Sequence, residues 1–221
     1  MDGGCNAFVT SVLASDRQSV TTLKTMREAE HSEDRDFWIA ETVDELANHK
    51  FHNTFSDPVP LPIGEKATPT RWLLSTKVVD LSERNQDSKS NAYKQIDDGR
   101  TFLRYRTRLL YLKNPWTSQP SEWTECYAPV VDILTSVRIY LTVCAMKHRT
   151  LVHSDVVSAY LHAHMTGPTK YIRLPGDEKG MGRILYKALN GVDNAGQLWH
   201  KRYDKFMHQE GFMKNCRDPC L

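Results

Sequence analysis

The chain has 221 residues, with 29 Lys plus Arg against 27 Asp plus Glu and a net charge of +2 at pH 7. Hydrophobic residues make up 40% and charged residues 25%, which is typical of a globular protein and excludes a disordered or fibrous chain. The most apolar stretch, residues 130–146, is interrupted by Asp132 and Arg138 and is too short to span a bilayer. A soluble protein with no membrane partner is expected.

The N-terminus and the cysteines predict an intracellular location. An acidic Asp2 and the lack of a basic segment before a short apolar patch argue against a secretory signal. Residues 1–19 are small and polar without a sustained period, so we expect a disordered or linker-like tail. The 5 cysteines are irregularly spaced and include no Cys-x-x-Cys, which favours reduced thiols.

A first helix is predicted between an acidic segment and a proline-rich one. Glu33, Asp34 and Asp36 favour a helix start, because negative side chains stabilise the positive end of the helix dipole. Apolar residues then recur at helical spacing, and the prolines within residues 57–62 end the pattern. The residues predicted to form the buried face are Ile39, Val43, Leu46 and Ala47.

Two strands are predicted next. Residues 72–79 and 101–112 are rich in aromatic and branched side chains, which favour extended structure. Residues 80–99 between them are polar and end in Asp98 followed by Gly99. We therefore expect an enlarged hairpin loop, inserted in the domain at about residues 80–99.

The second half of the chain mixes helices with short strands. We predict a helix after Pro129, strands at residues 151–156, 171–174 and 184–189, and a last helix at residues 195–210 capped by Gly211. The predicted buried residues are Val137, Leu141, Cys144 and Ala145 in the earlier helix, and Trp199, Tyr203 and Phe206 in the last one. This order of elements predicts an α+β fold.

Three arginines alternate along the second predicted strand. Arg104, Arg106 and Arg108 are separated by single residues, so the two-residue period of a strand places their guanidinium groups on one face. One interpretation is a solvated edge strand that charge protects from pairing. The other is a phosphate-facing strip, because guanidinium groups bind phosphate oxygens bidentately and repel one another without an anion.

Asp155 is the first candidate for chemistry. A carboxylate followed by small residues and an aromatic ring can hold a divalent cation and leave backbone amides free for phosphate. An isolated Asp at the end of a strand also commonly caps the following turn. Taken alone, this residue does not decide between the two roles.

Several blocks of the sequence, read together, resemble the reverse transcriptase domain of copia-type retrotransposons. They occur in the order typical of the family, from about Val20 to the last residue. The blocks are TTLKTM, FWIAETVDEL, RWLLSTK, RYRTRLL, EWTECYAPVV, SVRIYLTVCA, LVHSDVVSAYLHAHM, YIRLP, LYKALNGVDNAGQLWHKRYDKFMHQEGF and RDPCL. The resemblance implies a partial fingers-and-palm domain of a right-hand polymerase over residues 20–221.

The resemblance also implies roles for residues near Asp155. Asp155 matches the first catalytic aspartate, a ligand of two magnesium ions, and Val156 matches the residue whose backbone carbonyl binds the second ion. Ala159 matches the residue whose amide meets the incoming triphosphate. Tyr160 matches the aromatic residue that selects deoxynucleotides by blocking a ribose 2′-hydroxyl.

Basic and polar partners complete the implied site. Arg108 matches the fingers arginine over the triphosphate, and Lys77 is a further basic partner on the neighbouring strand. Asn194 stands where the family has a nucleotide-contacting glutamine, while Arg104 and Arg106 would face nucleic-acid phosphates. The implied activity is RNA-directed DNA polymerisation, using dNTPs on a primed RNA or DNA template, within a cytoplasmic virus-like particle.

The sequence departs from the family in several places, of which two bear most on the implied activity. Residues 189–196 read LNGVDNAG where the family usually has LYGLKQAP, and the chain stops before the Tyr-x-Asp-Asp hairpin that carries two further carboxylates. We therefore expect magnesium binding to be weak or absent and this chain alone not to polymerise DNA. The alternatives are a non-catalytic nucleic-acid-binding module and a decayed transposon remnant.

A zinc site is a rival interpretation of the histidines and cysteines. The candidate ligands are His153, His162, His164, Cys216 and Cys220. Their spacing fits no standard zinc finger, so surface histidines and ordinary thiols are the favoured interpretation.

Overall fold

The computed structural model describes residues 25–81, 84, 92–96, 100–113, 128–129, 133–152, 154–214 and 220. The predicted tail at residues 1–19 lies outside this range. The chain divides into two compact units, the first comprising Met1–Phe51 and Thr70–Leu110 and the second His52–Pro69 and Tyr111–Leu221. None of the helices in the described parts combines the length and apolar character needed to cross a bilayer.

The described helices and strands confirm a mixed α and β composition. The helices are α1 Met26–Glu30, α2 Arg35–Phe51, α3 Arg138–Met146 and α4 Ala195–Gln209. The strands are β1 Val59–Pro60, β2 Thr68–Asp80, β3 Tyr93–Gln95, β4 Thr101–Tyr111, β5 Tyr171–Arg173 and β6 Met181–Ile184. A π-helical turn, Ile133–Val137, precedes α3, and a 3₁₀ turn spans Ala159–His162.

In the first unit, β4 lies between β2 and β3. β3 runs antiparallel to β4, with Tyr93 opposite Arg104 and Gln95 opposite Phe102. The Ile96 amide donates to the carbonyl of Thr101 at 3.0 Å, which closes the hairpin. Part of the stretch that the sequence predicts as loop is therefore a strand of the sheet.

Aromatic rings form the core of the first unit. Trp38 of α2 is 2% exposed and Tyr105 of β4 is 1% exposed. Their rings meet edge-on with centroids 4.8 Å apart, and the Phe37 ring stacks on Tyr105 at 5.1 Å. The predicted α2 helix is confirmed, but its predicted buried face is wrong, since Val43 is 58% exposed. The large rings determine which face is buried, because they remove the most apolar surface from water.

In the second unit, short strands pair around β5 and β6. β6 runs antiparallel to both β1 and β5, and β5 runs parallel to the start of β2, where Thr68 pairs with Ile172. The predicted strand at residues 171–174 is confirmed. The strand predicted at residues 184–189 lies earlier, at Met181–Ile184, and Leu185 and Lys187 form only isolated bridges.

The α4 helix is confirmed, but its predicted aromatic core is wrong. α4 ends before Gly211, whose φ of +87° is the left-handed conformation that a helix C-cap favours. Tyr203 and Phe206 are 41% and 46% exposed, whereas Ala195 and Leu198 are buried. The small and aliphatic side chains of α4 therefore face the protein, and its aromatic face is accessible.

The α3 helix is also confirmed with a largely exposed surface. Only Cys144 among its residues is buried, and Leu141, predicted to be buried, is 45% exposed. An apolar stripe predicts burial only if a partner surface covers it.

In the second unit, Gly182 lies so close to Leu61 that a larger residue at this position should destabilise the fold. A Cβ placed on Gly182 of β6 would lie 2.6 Å from Cδ2 of Leu61 and 3.3 Å from Cβ of Ala67. We expect Gly182→Ala to lower the free energy of unfolding by about 1 to 2 kcal/mol, because the Leu61 side chain must move. Urea denaturation measures the loss. In the double variant Gly182→Ala/Leu61→Ala the glycine substitution should cost less than half as much; an equal cost would contradict this contact.

Candidate nucleic-acid and nucleotide site

The three alternating arginines lie together on β4. Arg104 and Arg106 are partly buried, and Arg108 is exposed. Burial lowers the pKa of the Arg106 guanidinium, and the charges of Arg108 and Arg104 lower it further. The negative charges of Glu41 and Glu45 on α2 raise the pKa of Arg106 and so oppose these effects. The strip is therefore a concentration of positive charge in which the middle arginine is partly removed from water.

The edge-strand interpretation does not fit the first part of this strip. β3 pairs with Phe102, Leu103 and Arg104, and the Tyr105 amide donates to the carbonyl of Ala92 at 2.9 Å. The Arg104 guanidinium lies 5.8 Å from the centre of the Tyr93 ring. Since β2 flanks the other side of β4, Arg104 lies in an interior strand of the sheet.

Lys77 belongs to the same unit as the arginine strip. It is exposed on β2, the strand next to β4. The first unit thus contains Lys77 and all three arginines, and the remaining predicted site residues belong to the second unit.

Asp155 lies in a segment without regular structure. The residues described between 151 and 156 form no strand, so the predicted strand leading to Asp155 is wrong. A run of branched side chains becomes a strand only where a neighbour satisfies its backbone hydrogen bonds, and none of the described residues bridges to this run. Asp155 and Val156 are exposed.

The predicted helical turn after Asp155 is confirmed. Ser158 has a φ of +54°, and its carbonyl accepts a hydrogen bond from the Leu161 amide at 2.8 Å. Ala159 and Tyr160 begin the 3₁₀ turn and are partly buried. The candidate carboxylate, amide and ring therefore belong to one short segment of the second unit.

The described residues do not form a metal centre. Within the described ranges, no group of three His, Cys, Asp or Glu side chains could hold a metal ion. Asp155 alone therefore does not fit a magnesium ion, which needs several oxygen ligands in an octahedral arrangement.

The zinc interpretation finds no support among the described candidates. His153 and Cys216 lie outside the described residues. Nε2 of His164 is 2.8 Å from Nζ of Lys187, and Nε2 of His162 is 3.2 Å from the Val157 carbonyl oxygen. Both imidazoles thus have protein partners at these nitrogen atoms.

Asn194 precedes the first residue of α4 and has an unusual environment. Its backbone carbonyl accepts from the Leu198 amide at 2.9 Å, but its side chain makes no capping hydrogen bond. Its Oδ1 atom is buried and has no hydrogen-bond partner among the described residues. A buried acceptor without a partner costs free energy.

The divergent block at residues 189–196 is attached to the end of β4. The Tyr111 amide donates to the carbonyl of Asn190 at 2.8 Å, and Lys113 forms an ion pair with Asp193 at 2.7 Å. Sequence reasoning missed this ion pair. Its only signal is that Asp193 is acidic where the resembling family has lysine, and this does not identify the partner.

A cavity of about 240 Å³ opens beside α4. Trp199 and Tyr203, whose ring centroids are 5.6 Å apart, form part of its wall. Its lining residues are Val156, His162, Trp199, Arg202, Tyr203 and Phe206. The sequence did not predict this cavity, because aromatic residues at helical spacing normally indicate core.

Comparison with known proteins identifies the class. The family model described as reverse transcriptase (RNA-dependent DNA polymerase) matches residues 52–219. This match covers more than half of the chain, so the chain belongs to the reverse transcriptase family. Members of the family in general use divalent metal ions, a template-primer and dNTPs.

A curated relative narrows the comparison. The chain is 26% identical over 168 residues to the "Retrovirus-related Pol polyprotein from transposon TNT 1-94" of Nicotiana tabacum. The alignment covers 74% of this chain and 11% of that polyprotein, so the chain spans a small part of its relative. No solved structure matches the chain. The resemblance to copia-type reverse transcriptases is thereby confirmed.

Proposed function

We propose that this chain provides phosphate-binding and nucleotide-binding residues of an RNA-directed DNA polymerase encoded by a copia-type retrotransposon. The strip on β4 carries the proposal. Arg104 and Arg106 contact template-primer phosphates, and Arg108 with Lys77 contacts the dNTP triphosphate. Burial and the two neighbouring guanidinium groups disfavour the charge of Arg106, and Glu41 and Glu45 offset part of this effect. A bound phosphate offsets more of it.

The remaining nucleotide-binding residues of this proposal belong to the second unit. The Ala159 amide meets the triphosphate, the Tyr160 ring lies against the sugar, and the Asn194 side chain contacts the nucleotide. Family membership supports these assignments.

Asp155 is assigned a limited role. It is one carboxylate ligand for the divalent ions of the family, with the Val156 carbonyl beside it, and exposure leaves Asp155 accessible. A two-metal site needs further carboxylates, which the described residues do not bring to Asp155. Action within a cytoplasmic virus-like particle is part of the same proposal, supported by the similarity to a transposon polyprotein.

Template-primer binding tests the arginine strip. We expect Arg104→Gln/Arg106→Gln to weaken binding of a fluorescent RNA–DNA template-primer by roughly tenfold or more. The slope of log Kd against log salt concentration should fall by about two, since each phosphate contact releases about one counterion. Fluorescence anisotropy over a series of KCl concentrations measures both quantities.

The control removes the same charge elsewhere. Lys179→Gln/Lys205→Gln replaces two exposed lysines of the second unit and has the same net charge. It should bind within about threefold of the wild type, because only long-range attraction is lost. Equal losses in the two double variants, or a wild type that does not bind, would contradict the proposed strip.

A non-catalytic binding module is the second candidate, favoured by the absence of further metal-ligating groups near Asp155 among the described residues. Primer extension with magnesium and dNTPs distinguishes the polymerase from the binding module. Extension that Asp155→Asn abolishes supports the polymerase. Binding that depends on the arginine strip, without extension, supports the module.

A further inference from the structure

The exposed face of β2 carries a basic residue at each end. Every second residue in this part of the strand is exposed, whereas the residues between them are buried or partly buried. The two-residue period of a strand therefore places the exposed side chains on one face. They are Arg71, Leu73, Ser75 and Lys77. From Arg71 to Lys77 this face extends about 20 Å, since a strand rises about 3.3 Å per residue.

The arginine strip of β4 lies on the same face of the sheet. Leu74 of β2 and Tyr105 of β4 belong to one buried cluster with Trp38, so the two strand residues point to the same side. The residues that alternate with these two on their strands share the other side, which includes the exposed residues of β2 and the arginine strip. Residues 68–79 and 101–111 contain no Asp or Glu. The two strands together therefore present a basic face.

Arg71 lies at the end of this face that is nearest Arg108. The Leu112 amide donates to the Pro69 carbonyl at 3.0 Å, so the start of β2 lies beside the end of β4 and the two strands run antiparallel. Lys77 comes later on β2 and therefore lies toward the other end of the arginine strip. Arg71 is thus on the side of Arg108 that faces away from Lys77.

A primed template has a fixed order of parts on a polymerase surface. The paired template-primer lies behind the incoming dNTP, and the unpaired template strand continues ahead of it. In the proposed function, Arg104 and Arg106 contact the paired duplex. Arg108 and Lys77 contact the triphosphate. The position of Arg71, beyond Arg108, then corresponds to the unpaired template strand.

Leu73 favours a single strand over a duplex at this end of the face. Its side chain is 42% exposed, two residues from Arg71 on the same face. In a duplex the bases stack on one another, whereas the bases of a single strand are open to contact with a protein side chain. A guanidinium group beside an apolar side chain therefore matches the phosphate and the base of an unpaired nucleotide.

We propose that Arg71 binds a phosphate of the unpaired template strand ahead of the incoming dNTP, and that Leu73 contacts one of its bases. This assignment rests on the proposed function and adds to it the part of the template that the arginine strip does not contact. Guanidinium donors also match the triphosphate of a dNTP. Only the unpaired strand makes the contact depend on the length of the template.

Two RNA–DNA duplexes of equal paired length test the assignment. One is blunt, and the other has an unpaired 5′ template overhang of about six nucleotides, which matches the length of the β2 face at about 3.4 Å per nucleotide. We expect the wild type to bind the overhang duplex about fivefold more tightly than the blunt one. Arg71→Gln should lose this preference, reduce the salt slope for the overhang duplex by about one, and bind the blunt duplex like the wild type. Fluorescence anisotropy over a series of KCl concentrations measures both quantities.

A second variant and a control separate base contact from charge. Leu73→Ser should reduce the preference for the overhang by about twofold without changing the salt slope, because it removes an apolar contact and no charge. The matched control is Arg35→Gln, which replaces an exposed arginine of α2 in the same unit. Since α2 packs against the other side of the sheet through Trp38, this control should keep the full preference for the overhang.

The outcomes distinguish failure of this assignment from failure of the proposed function. If Arg71→Gln weakens both duplexes equally, or behaves like Arg35→Gln, the assignment to the unpaired strand is wrong. If Arg71→Gln instead weakens binding of dTTP and keeps the overhang preference, the ligand is the triphosphate and the assignment is again wrong. In both cases a loss of blunt-duplex binding in Arg104→Gln/Arg106→Gln still supports the proposed function. A wild type that binds neither duplex contradicts the proposed function itself.

Discussion

Replacing Trp38 by alanine is expected to lower the free energy of unfolding of the first unit by about 4 kcal/mol. Trp38 is 2% exposed and packs edge-on against the Tyr105 ring, with centroids 4.8 Å apart. Tyr105 is held between this ring and the Phe37 ring, so the loss of the indole removes an aromatic contact and leaves a cavity. Urea denaturation followed by far-UV circular dichroism measures the effect.

Two variants on the same helix serve as controls. Val43→Ala shortens a side chain that is 58% exposed, so it should change the free energy of unfolding by no more than about 0.5 kcal/mol. Trp38→Phe retains an aromatic ring and should cost about half as much as Trp38→Ala. Similar losses for Trp38→Ala and Val43→Ala would mean that the buried face of α2 is the one predicted from the sequence.

The position of most elements could be predicted from local sequence. The charged start of α2, the branched and aromatic residues of β2 and β4, and the glycine after α4 act within a few residues of where the structure changes. Such signals do not depend on the rest of the fold. The predicted bounds are therefore close to the observed ones for α2, β4, β5 and α4.

The rotation of the helices about their axes could not be predicted in the same way. Val43 and Tyr203 are predicted to be buried and are exposed, whereas Leu198 lies outside the predicted stripe and is buried. Both faces of these helices carry apolar side chains, so the sequence pattern is compatible with burial of either face. The surface that packs against the helix decides between them, and local sequence does not contain that surface.

The candidate site also combines features that local sequence predicts with features that only the fold determines. The shared face of Arg104, Arg106 and Arg108 follows from the two-residue period of a strand, so the strip could be predicted. The effect of Glu41 and Glu45 on Arg106 comes from another element. The ion pair of Lys113 and Asp193 likewise joins residues distant in sequence. Motif order identified the family, but only the fold shows which charges meet.

In the second unit, Arg183→Met is expected to lower the free energy of unfolding by about 3 kcal/mol at pH 7. The Arg183 guanidinium donates to Asp177 through Nε and Nη2, at 3.0 Å to Oδ2 and 2.8 Å to Oδ1. The Asp177 side chain is only 8% exposed. The substitution therefore leaves a buried carboxylate that still accepts a hydrogen bond from the Leu174 amide, 2.9 Å from Oδ2. Urea denaturation measures the loss.

The pH dependence of this loss of stability shows whether it comes from the charge of Asp177 or from the packing of Arg183. The hydrogen bond from Arg183 holds the pKa of the Asp177 carboxyl below its usual value. Its contribution is therefore fully present above the usual pKa and is lost as the pH falls through the lowered one. The stability difference between wild type and Arg183→Met should therefore stay constant from pH 7 to about pH 4 and shrink below that. The double variant Asp177→Asn/Arg183→Met should recover part of the loss at pH 7, since neither charge remains. A difference independent of pH would assign the loss to packing of Arg183 on the Phe55 ring, whose centre is 5.7 Å from the guanidinium carbon.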